Sequence, residues 1–453
     1  MGVIQSIFNY ILDMGAPVFV PIIMIIVGLI VKMKFKDAIS SGITLGVAFV
    51  GMGLIIGFMM GSIGPAAQQF VKNTGIQLNA IDSGWTALAA LAWAWPLAFF
   101  MFPLQIGVNI IMLAIKQTNT LNVDLWNVWG KILTAVIVAA VSNNMVLAFI
   151  VAAVQMVLEL KIADVNQKQI QKVTQIPGVT STHSMTLFGV LLYPLNRLLD
   201  FIPSMNKQID ANWLKQKLGI FAENHIMGFI IAVLIGVFAQ LSFAQTLTLG
   251  IQGATALTLF PMVSKLFMQA LSPLSDATSE FMQKRFKGRE FYIGLDWPIM
   301  AGCNEVWVTA IILIPFMLGF AVTLPGNSVL PFAGIINLSV AVPALIVTGG
   351  NLLRMIVLGI VTTPIFLYLA TSFAPIVTNL AIETKSVNVP KGQMISWSTL
   401  EYPDFRYIFA HAANGEIFGI LGAVVWLGLF IWYYKGMKAR SKKIEDENTE
   451  SMA

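Results

Sequence analysis

The amino-acid sequence predicts an all-α polytopic membrane protein with about eleven transmembrane helices. Hydrophobic residues make up 57% of its 453 residues and charged residues only 11%, whereas an ordinary soluble chain is about 25% charged. Long apolar stretches also recur along the whole chain. Because a helix crosses the roughly 30 Å hydrocarbon core of a bilayer in about 20 residues, these stretches have the length of membrane spans.

The predicted spans fall in nine apolar stretches, of which only one contains a charged residue, Arg197. The stretches are residues 15–31, 38–71, 83–115, 132–158, 184–199, 225–264, 306–353, 355–382 and 417–434. The stretch 225–264 has room for two helices. A turn signal, Leu324-Pro325-Gly326-Asn327, divides the stretch 306–353 into two. Together these stretches predict about eleven spans.

Three further segments are predicted to lie outside the bilayer. Residues 1–14 lack the basic start of a cleaved signal and predict an amphipathic lead-in helix. Residues 161–172, which are rich in Lys and Gln, predict a solvated helix, and residues 444–453 predict a short disordered tail.

Basic residues set the predicted orientation, because Lys and Arg gather in cytoplasmic loops. They cluster in residues 32–36, directly after the first span, in residues 284–289 and in residues 435–443. We therefore predict a cytoplasmic C-terminus and, with an odd number of spans, an N-terminus outside.

Composition excludes several classes of function. The net charge of +5 comes from 27 basic and 22 acidic residues spread along the chain, which is not the pattern of a nucleic-acid-binding surface. The one Cys excludes a disulfide framework, and three His leave little room for a zinc or haem site. The sequence has no P-loop, Gly-x-Ser-x-Gly or His-Glu-x-x-His motif. We therefore predict no metal, no cofactor and no nucleic-acid partner.

Polar residues inside apolar stretches are candidates for a site, because an ionisable group in a membrane is costly unless it is paired or hydrated. Asp296, Asn304 and Glu305 flank a Gly- and Pro-containing stretch that predicts a broken or re-entrant helix. Such a segment could accept hydrogen bonds from several hydroxyls. Alternatively, Asp296 caps a helix at the membrane interface and Glu305 pairs with a Lys or Arg.

Two other pairs of residues can each be interpreted either as part of a binding site or as structural. Asp82 and Trp85 combine a carboxylate with a ring face, which suits a polyol, or they are a loop Asp and an interfacial Trp. Asn143 and Asn144 lie within the stretch 132–158, either as substrate ligands or as hydrogen-bonding contacts between helices.

His183, Gly350 and Asn351 complete the candidates. His183 stands between hydroxyl residues, where a neutral imidazole can both donate and accept hydrogen bonds. The Gly350-Asn351 pair permits either close approach of a ligand to the backbone or close helix packing. A short likeness about 212 residues apart, Asp82-Ser-Gly-Trp85 and Gly294-Leu-Asp296-Trp297, also predicts an inverted repeat.

At several of these residues the chain resembles a known family. The strings that carry the resemblance are SIGPAA (62–67), NVDLWNVW (122–129), GLD (294–296), PGNSVLPF (325–332) and GNLLR (350–354). They look like the membrane subunit IIC of the galactitol-type sugar phosphotransferase system (PTS), in the ascorbate-galactitol superfamily. The resemblance runs from about residue 11 to residue 438.

The resemblance implies a homodimer in the bacterial cytoplasmic (inner) membrane. Residues 1–440 would interleave a core domain, which carries the substrate, with a V-motif domain, which forms the dimer, and residues 441–453 would be a cytoplasmic tail. The core would move as an elevator and deliver galactitol, or a related polyol or sugar, to a separate IIB subunit. IIB would phosphorylate it with phosphate that comes from phosphoenolpyruvate through enzyme I, HPr and IIA.

The resemblance also orders the candidate residues into a binding site. Asp296 and Glu305 would orient substrate hydroxyls, with Asn304, Gly350 and Asn351 nearby. Asp82 and Trp85 would form the opposite wall, and His183 would complete the hydrogen bonds with Asn143 and Asn144. Asp296, Glu305 and His183 are the candidates for a general base.

Two departures from the galactitol members bear on the substrate. They carry a Pro-His-Gly-Thr-Ser string where this chain reads IPGVTSTHS (176–184), and a His where it reads GCNE (302–305). The alternative function is an ion-coupled secondary transporter that uses the same carboxylates. An intramembrane enzyme would need a nucleophile or a metal site, which three scattered His and one Cys do not supply.

Overall fold

The computed structural model describes residues 10, 16–74, 78–124, 127–210, 213, 220, 223–285, 290–331, 334–384, 389 and 392–452. The predicted lead-in helix, residues 1–14, lies outside this set apart from Tyr10. Residues 286–289 of the predicted basic loop also lie outside it.

Helices dominate the described residues. The α-helices are α1 (Ala16–Ile30), α2 (Phe35–Thr74), α3 (Gly84–Ala94), α4 (Met101–Ala114), α5 (Val128–Ser142), α6 (Met145–Thr174), α7 (Gly189–Leu199), α8 (Asn224–Phe238), α9 (Phe243–Arg285), α10 (Asn304–Thr323), α11 (Leu338–Thr348), α12 (Leu352–Thr384), α13 (Pro403–Ala413) and α14 (Ile417–Met452). Short 3-10 helices lie at Ala98–Phe100, Ser184–Phe188, Pro203–Asn206 and Trp297–Met300.

Short strands interrupt the helices and pair into two parallel three-stranded sheets. They are β1 (Ala80–Asp82), β2 (Thr120–Asn122), β3 (Val179–Ser181), β4 (Tyr292–Leu295), β5 (Val329–Leu330) and β6 (Met394–Ser396). β1 lies between β5 and β6, and β4 lies between β2 and β3. The all-α prediction missed these strands because each has only two to four residues, too few for an alternating pattern.

The two halves of the chain repeat one order of elements. β1, β2 and β3 are followed roughly 210 residues later by β4, β5 and β6, and the helix pair α1 and α2 by the pair α8 and α9. The central strand of each sheet therefore comes from one half and its two neighbours from the other, so the halves interlock. Asp82 ends one central strand and Asp296 follows the other, so the two aspartates hold equivalent positions.

The repeat is inverted, because the equivalent helices α2 and α9 run antiparallel. A Cβ at Gly51 would lie 3.1 Å from Val263, and Asn73, near the end of α2, donates to the carbonyl of Ala239, shortly before α9 begins. Helices α1, α2, α8 and α9 pack mainly on one another, and we call them the four-helix layer. The other elements form the core body.

Helix length and composition support a multi-pass membrane protein. In the described residues, Met145–Thr174, Asn304–Thr323, Leu352–Thr384 and Ile417–Glu447 are long and apolar enough to cross a membrane. Shorter apolar helices accompany them, at Pro21–Ile30, Met101–Ala114, Val128–Ser142, Gly228–Phe238 and Leu338–Thr348. The count of about eleven spans stays a prediction.

The prediction of one helix over residues 132–158 is wrong. α5 ends at Ser142 and α6 begins at Met145, because Asn143 adopts a left-handed conformation with φ 51° that ends the helix. The Asn144 side chain then accepts a hydrogen bond from the backbone N–H of Leu147 and caps α6.

Two predictions about polar segments are also wrong. Residues 161–172 are not a separate solvated helix but the continuation of α6, and Ile162, Val165 and Ile170 are buried there. Residues 444–452 are not a disordered tail, because α14 continues to Met452.

The described parts of the basic segments lie at one end of the molecule. Lys168 on α6 lies 3.1 Å from Glu290, which follows α9, and 3.1 Å from Glu445 on α14, so the ends of α9 and α14 are neighbours. Since α2 runs antiparallel to α9, α2 begins at this same end, beside residues 32–36. We call this end of the molecule the tail end.

Candidate functional site

Three strands of one sheet deliver polar residues to a single edge. β2 is followed by Asp124, β3 by His183 and β4 by Asp296. Because the carboxyl ends of parallel strands meet at the same edge of a sheet, these side chains converge. Glu401, in the loop after β6, completes what we call the carboxylate–histidine cluster. The cluster is buried, with 14% of the Asp296 side chain exposed.

The His183 ring is held in one tautomer. Its Nδ1 accepts a hydrogen bond from the backbone N–H of Met185 at 3.2 Å, so Nε2 carries the proton of the neutral ring. Nε2 faces Asp296 Oδ1 at 3.6 Å and Glu401 Oε1 at 3.5 Å. Burial lowers the pKa of this loop histidine well below its usual value, and the charges of Lys131 and Arg406 lower it further. The imidazole is therefore neutral and presents an N–H donor.

The two carboxylates beside His183 differ in how far their hydrogen-bonding capacity is used. Asp296 Oδ1 accepts the backbone N–H of Trp297 at 2.6 Å, and the same carboxylate accepts a hydrogen bond from the Asn127 side chain. Glu401 Oε2, by contrast, is buried and has no hydrogen-bond partner among the described residues. Burial, and then the charge of Asp124, raise the pKa of Asp296 well above its usual value. Burial raises the pKa of Glu401 to about 7.

Asp124 connects the cluster to a row of aromatic rings. Both its oxygens accept hydrogen bonds from the Asn127 amide at 3.0 Å, and Asn127 in turn accepts from the Trp129 indole at 3.1 Å. The Trp129 ring lies 6.3 Å from Trp85 and 6.4 Å from Trp397, measured between centroids. Trp85 is 47% exposed, so the row leads from the surface to the cluster.

A fully buried ion pair lies behind the cluster. Lys131 on α5 and Glu159 on α6 are 2.9 Å apart, with 0% and 1% of their side chains exposed. Gln155 donates to Glu159 Oε1 at 2.7 Å and to Ser184 Oγ at 3.2 Å. Because Ser184 follows His183, this network ties the pair of helices α5 and α6 to the histidine loop.

Arg406 on α13 lies in the same buried network. It donates to the carbonyl of Gly130 at 3.0 Å, to the carbonyl of Glu401 at 3.2 Å and to Thr134 Oγ1 at 3.2 Å. It also donates to the Tyr402 hydroxyl, and its guanidinium lies over that ring. These bonds hold the loop that carries Glu401 against α5.

The carboxylate of Asp82, by contrast, is engaged in hydrogen bonds with the surrounding loops. It is buried, and its carboxylate accepts hydrogen bonds from the backbone N–H groups of Gly84, Gly334 and Ser398 and from the Ser398 hydroxyl, the last at 2.6 Å. A carboxylate with this many donors locks the loops around its sheet. Asp82 therefore does not join the carboxylate–histidine cluster, although Trp85, three residues later, adjoins it.

Asn143 and Asn144 are not brought to the cluster either. They form the exposed turn between α5 and α6. Lys131, behind the cluster, lies near the other end of α5, so this turn is about 18 Å away along the helix. Their interpretation as substrate ligands receives no support from this position.

The remaining candidates lie around a polar cavity at the tail end. The cavity has a volume of about 710 Å³, and Glu305, Gln169, Gly350 and Arg440 are among its lining residues. Asn304 precedes Glu305 at the start of α10. Asn351 lies behind the glycines and donates to the carbonyl of Lys207 at 2.8 Å. The structure thus divides the predicted site between the cluster and this cavity.

Sequence reasoning missed several charged members of the site. They are Asp124, Lys131, Glu159, Glu401 and Arg406. Lys131 and Glu159 flank the apolar stretch 132–158. Because each span was taken to end at the first charged residue, both residues were placed outside the span and were not considered as members of a buried site. The two residues have opposite charges and lie at nearly equal distances from Asn143-Asn144. This spacing could have predicted a helical hairpin in which they form an ion pair.

Gly294 offers a test of how strand β4 positions Asp296. A Cβ there would lie 2.4 Å from Thr182 Cγ2 and 2.8 Å from Thr120 Cγ2, so Gly294→Ala must displace these neighbouring side chains. Overpacking of this kind costs about 1 to 3 kcal/mol, and we expect reduced substrate uptake together with a lower melting temperature. Gly319→Ala is the matched control, because no atom lies within 4 Å of its Cβ. Equal behaviour of the two variants would contradict this role.

The cluster has the chemistry of a site for a neutral hydroxylated molecule. Asp296 and Glu401 provide acceptors, the His183 Nε2–H provides a donor, and Trp85 and Trp129 provide ring faces for C–H surfaces. A site built from paired donors and acceptors discriminates by hydroxyl pattern, since an unpaired buried polar group costs about 1 to 3 kcal/mol.

Comparison with known proteins finds matches over most of the chain. Residues 10–392 match the model of the EIIC-GAT family, described as the PTS system sugar-specific permease component. The chain is 30% identical over 438 residues to the PTS system galactitol-specific EIIC component of Escherichia coli (strain K12), covering 94% of this chain and 96% of that protein. It is 32% identical over 437 residues, with 93% and 96% covered, to a protein of the same strain provisionally named a permease IIC component.

Proposed function

The chain belongs to the EIIC-GAT family of PTS system sugar-specific permease components, and from this premise we propose that it binds and translocates galactitol or a closely related polyol. The carboxylate–histidine cluster supports this proposal. It places a neutral donor, His183 Nε2–H, between the carboxylates of Asp296 and Glu401. A polyol, which has a donor and an acceptor at each carbon, can use all three groups at once.

The phosphoryl donor in this proposal is a phosphocysteine on a separate IIB subunit. A substrate hydroxyl attacks the phosphorus, the S–P bond breaks, and the hydroxyl proton passes to a base. Asp296 and His183 lie in the cluster, where they can contact a hydroxyl, whereas Glu305 lines the tail-end cavity. IIA, HPr and enzyme I would supply the phosphate.

The proposed orientation places the tail end in the cytoplasm of a bacterium, with the N-terminus outside the inner membrane. The gathering of basic segments at that end supports it, because Lys and Arg are retained on the cytoplasmic side. IIB would then dock at the tail end.

The proposed transport movement is an elevator of the core body against the four-helix layer. In this view the layer is the V-motif domain, which forms the homodimer, and the core body carries the substrate. The packing of α1, α2, α8 and α9 mainly on one another supports such a division.

The test is uptake of radiolabelled galactitol into vesicles that contain this protein. The vesicles enclose phosphoenolpyruvate, enzyme I, HPr, IIA and a galactitol-type IIB, and the internal product is analysed for phosphate. We expect galactitol phosphate only when phosphoenolpyruvate and IIB are both present.

Two controls separate the alternatives. Phosphorylated product from another member of a polyol and sugar panel, but none from galactitol, would keep the transport class and change the substrate. Free substrate that accumulates inside with an ion gradient would instead establish an ion-coupled secondary transporter and overturn the proposal.

A further inference from the structure

The buried groups around His183 carry more negative than positive charge. The carboxylates are those of Asp124, Glu159, Asp296 and Glu401, and the cations are Lys131 and Arg406. His183 is neutral and adds no charge. If every carboxylate were ionised, two negative charges would be buried without compensation, which a low-dielectric interior strongly disfavours.

His183 cannot take up the missing positive charge in this arrangement. Its Nδ1 accepts the backbone N–H of Met185, and its Nε2 already bears a proton. A second proton on the ring would break the bond to Met185. At least one proton therefore belongs on a carboxylate.

The contacts of the two cations indicate which carboxylate it is. Lys131 pairs with Glu159 at 2.9 Å, and Arg406 donates to the backbone of the loop that carries Glu401. Asp124, Asp296 and Glu401 all have no Lys or Arg within 4 Å in the described parts of the chain. Both oxygens of Asp124, however, accept hydrogen bonds from the Asn127 amide, and the positive charges of Arg406 and Lys131 lower the pKa of Glu401. The charges that act most strongly on Asp296 are those of the Asp124 and Glu401 carboxylates.

We propose that Asp296 is a proton-binding site: it holds a proton at neutral pH, and the protein meets its substrate with this carboxyl neutral. A neutral Asp296 can donate a hydrogen bond as well as accept one, but it cannot take the hydroxyl proton in phosphoryl transfer until its own proton has left. The buried, unpartnered Oε2 of Glu401 offers an acceptor in the same cluster. This inference concerns the site before substrate binds and does not depend on which substrate the protein carries.

A proton fits this site better than a metal cation does. The gap between the carboxylates is filled by the His183 Nε2–H, which is a donor, at 3.5 and 3.6 Å. Mg²⁺ and Ca²⁺ need oxygen ligands at about 2.0 to 2.6 Å, and an N–H directed between the carboxylates opposes them. The raised pKa values of Asp296 and Glu401 agree with the proposal.

The titratable groups of the buried network around Asp296 come from several elements. They are Asp124 after β2, Lys131 on α5, Glu159 on α6, His183 after β3, Glu401 and Tyr402 before α13, and Arg406 on α13. Their sum is negative, so each ionisation of a neighbouring acid favours the proton on Asp296.

Infrared spectroscopy of the purified protein without substrate tests this directly. The C=O stretch of a protonated carboxyl is separate from that of a carboxylate and shifts in D₂O. We expect the wild type to show this band at pH 7 and Asp296→Asn to lose the part of it that belongs to Asp296. Glu401, with a pKa of about 7, contributes a second part that Glu401→Gln removes. Glu401→Gln removes a negative neighbour, so the band should titrate at lower pH than in the wild type.

Two reference variants assign the bands. Asp404 is buried against Trp426 with a pKa of about 6, so its band should titrate below pH 7, and Asp404→Asn identifies it. Asp446→Asn, at an exposed position on α14, should leave the spectrum unchanged. A wild type without the band at pH 7, or identical bands in wild type and Asp296→Asn, would overturn the proposal. If Asp296→Asn does not fold, an unchanged titration in Glu401→Gln would overturn it.

Discussion

Asp296→Ala is expected to lower substrate uptake by about 100-fold. The change removes a carboxyl that faces His183 and follows the central strand β4. Two hydrogen bonds to substrate or cluster would be lost, each worth about 1 to 3 kcal/mol, and about 1.4 kcal/mol is a tenfold change. Initial rates of uptake in phosphoenolpyruvate-loaded vesicles measure the effect.

The conservative variant and a surface control define what this result means. Asp296→Asn keeps a donor and an acceptor in nearly the same shape, so its KM should lie closer to that of the wild type than the KM of Asp296→Ala. Asp446→Ala, on the exposed part of α14, should transport normally. Uptake by Asp296→Ala within about threefold of wild type would exclude Asp296 from the substrate site, because one lost bond alone predicts more.

Lys131→Met is expected to destabilise the protein by about 3 to 5 kcal/mol. The substitution leaves Glu159 as an uncompensated buried charge, and breaking one partner of a buried ion pair has a cost of this size. In a thermal unfolding measurement in detergent the melting temperature should fall by about 5 °C.

Two comparisons separate the buried pair from general effects of losing a lysine. The double variant Lys131→Met with Glu159→Leu removes both charges and should recover most of the lost stability. Lys168→Met removes a surface partner of Glu290, whose side chain is 62% exposed, and should cost about 1 kcal/mol or less. Equal melting temperatures for Lys131→Met and Lys168→Met would show that the buried pair adds no stability.

Part of the site was predictable because some of its residues are locally unusual. His183 and Asp296 are isolated polar residues beside apolar runs, which made them candidates, and the structure brings them together. Asp82 met the same criterion, yet the fold satisfies its carboxylate with backbone N–H groups and Ser398. The two aspartates occupy equivalent positions in the repeat, so only their neighbours distinguish them.

The charged residues that the sequence could not assign are those whose partners are distant in the chain. Lys131 and Glu159 lie at opposite ends of a long apolar stretch and meet only because the chain reverses at Asn143. Tyr402 donates to the carbonyl of Gly130 across 272 residues. A pattern read along the chain cannot detect such pairs.

The sequence by itself determined the helical, membrane-spanning character, the positions of several helix breaks and the gathering of basic segments. These properties are local. They depend on the transfer free energy of about 20 consecutive residues and on the backbone preferences of Gly, Pro and Asn. Only the tertiary structure decided which carboxylates share a site and which are used in structural hydrogen bonds. The reason is that burial and charge pairing depend on residues that the chain brings together from both halves of its repeat.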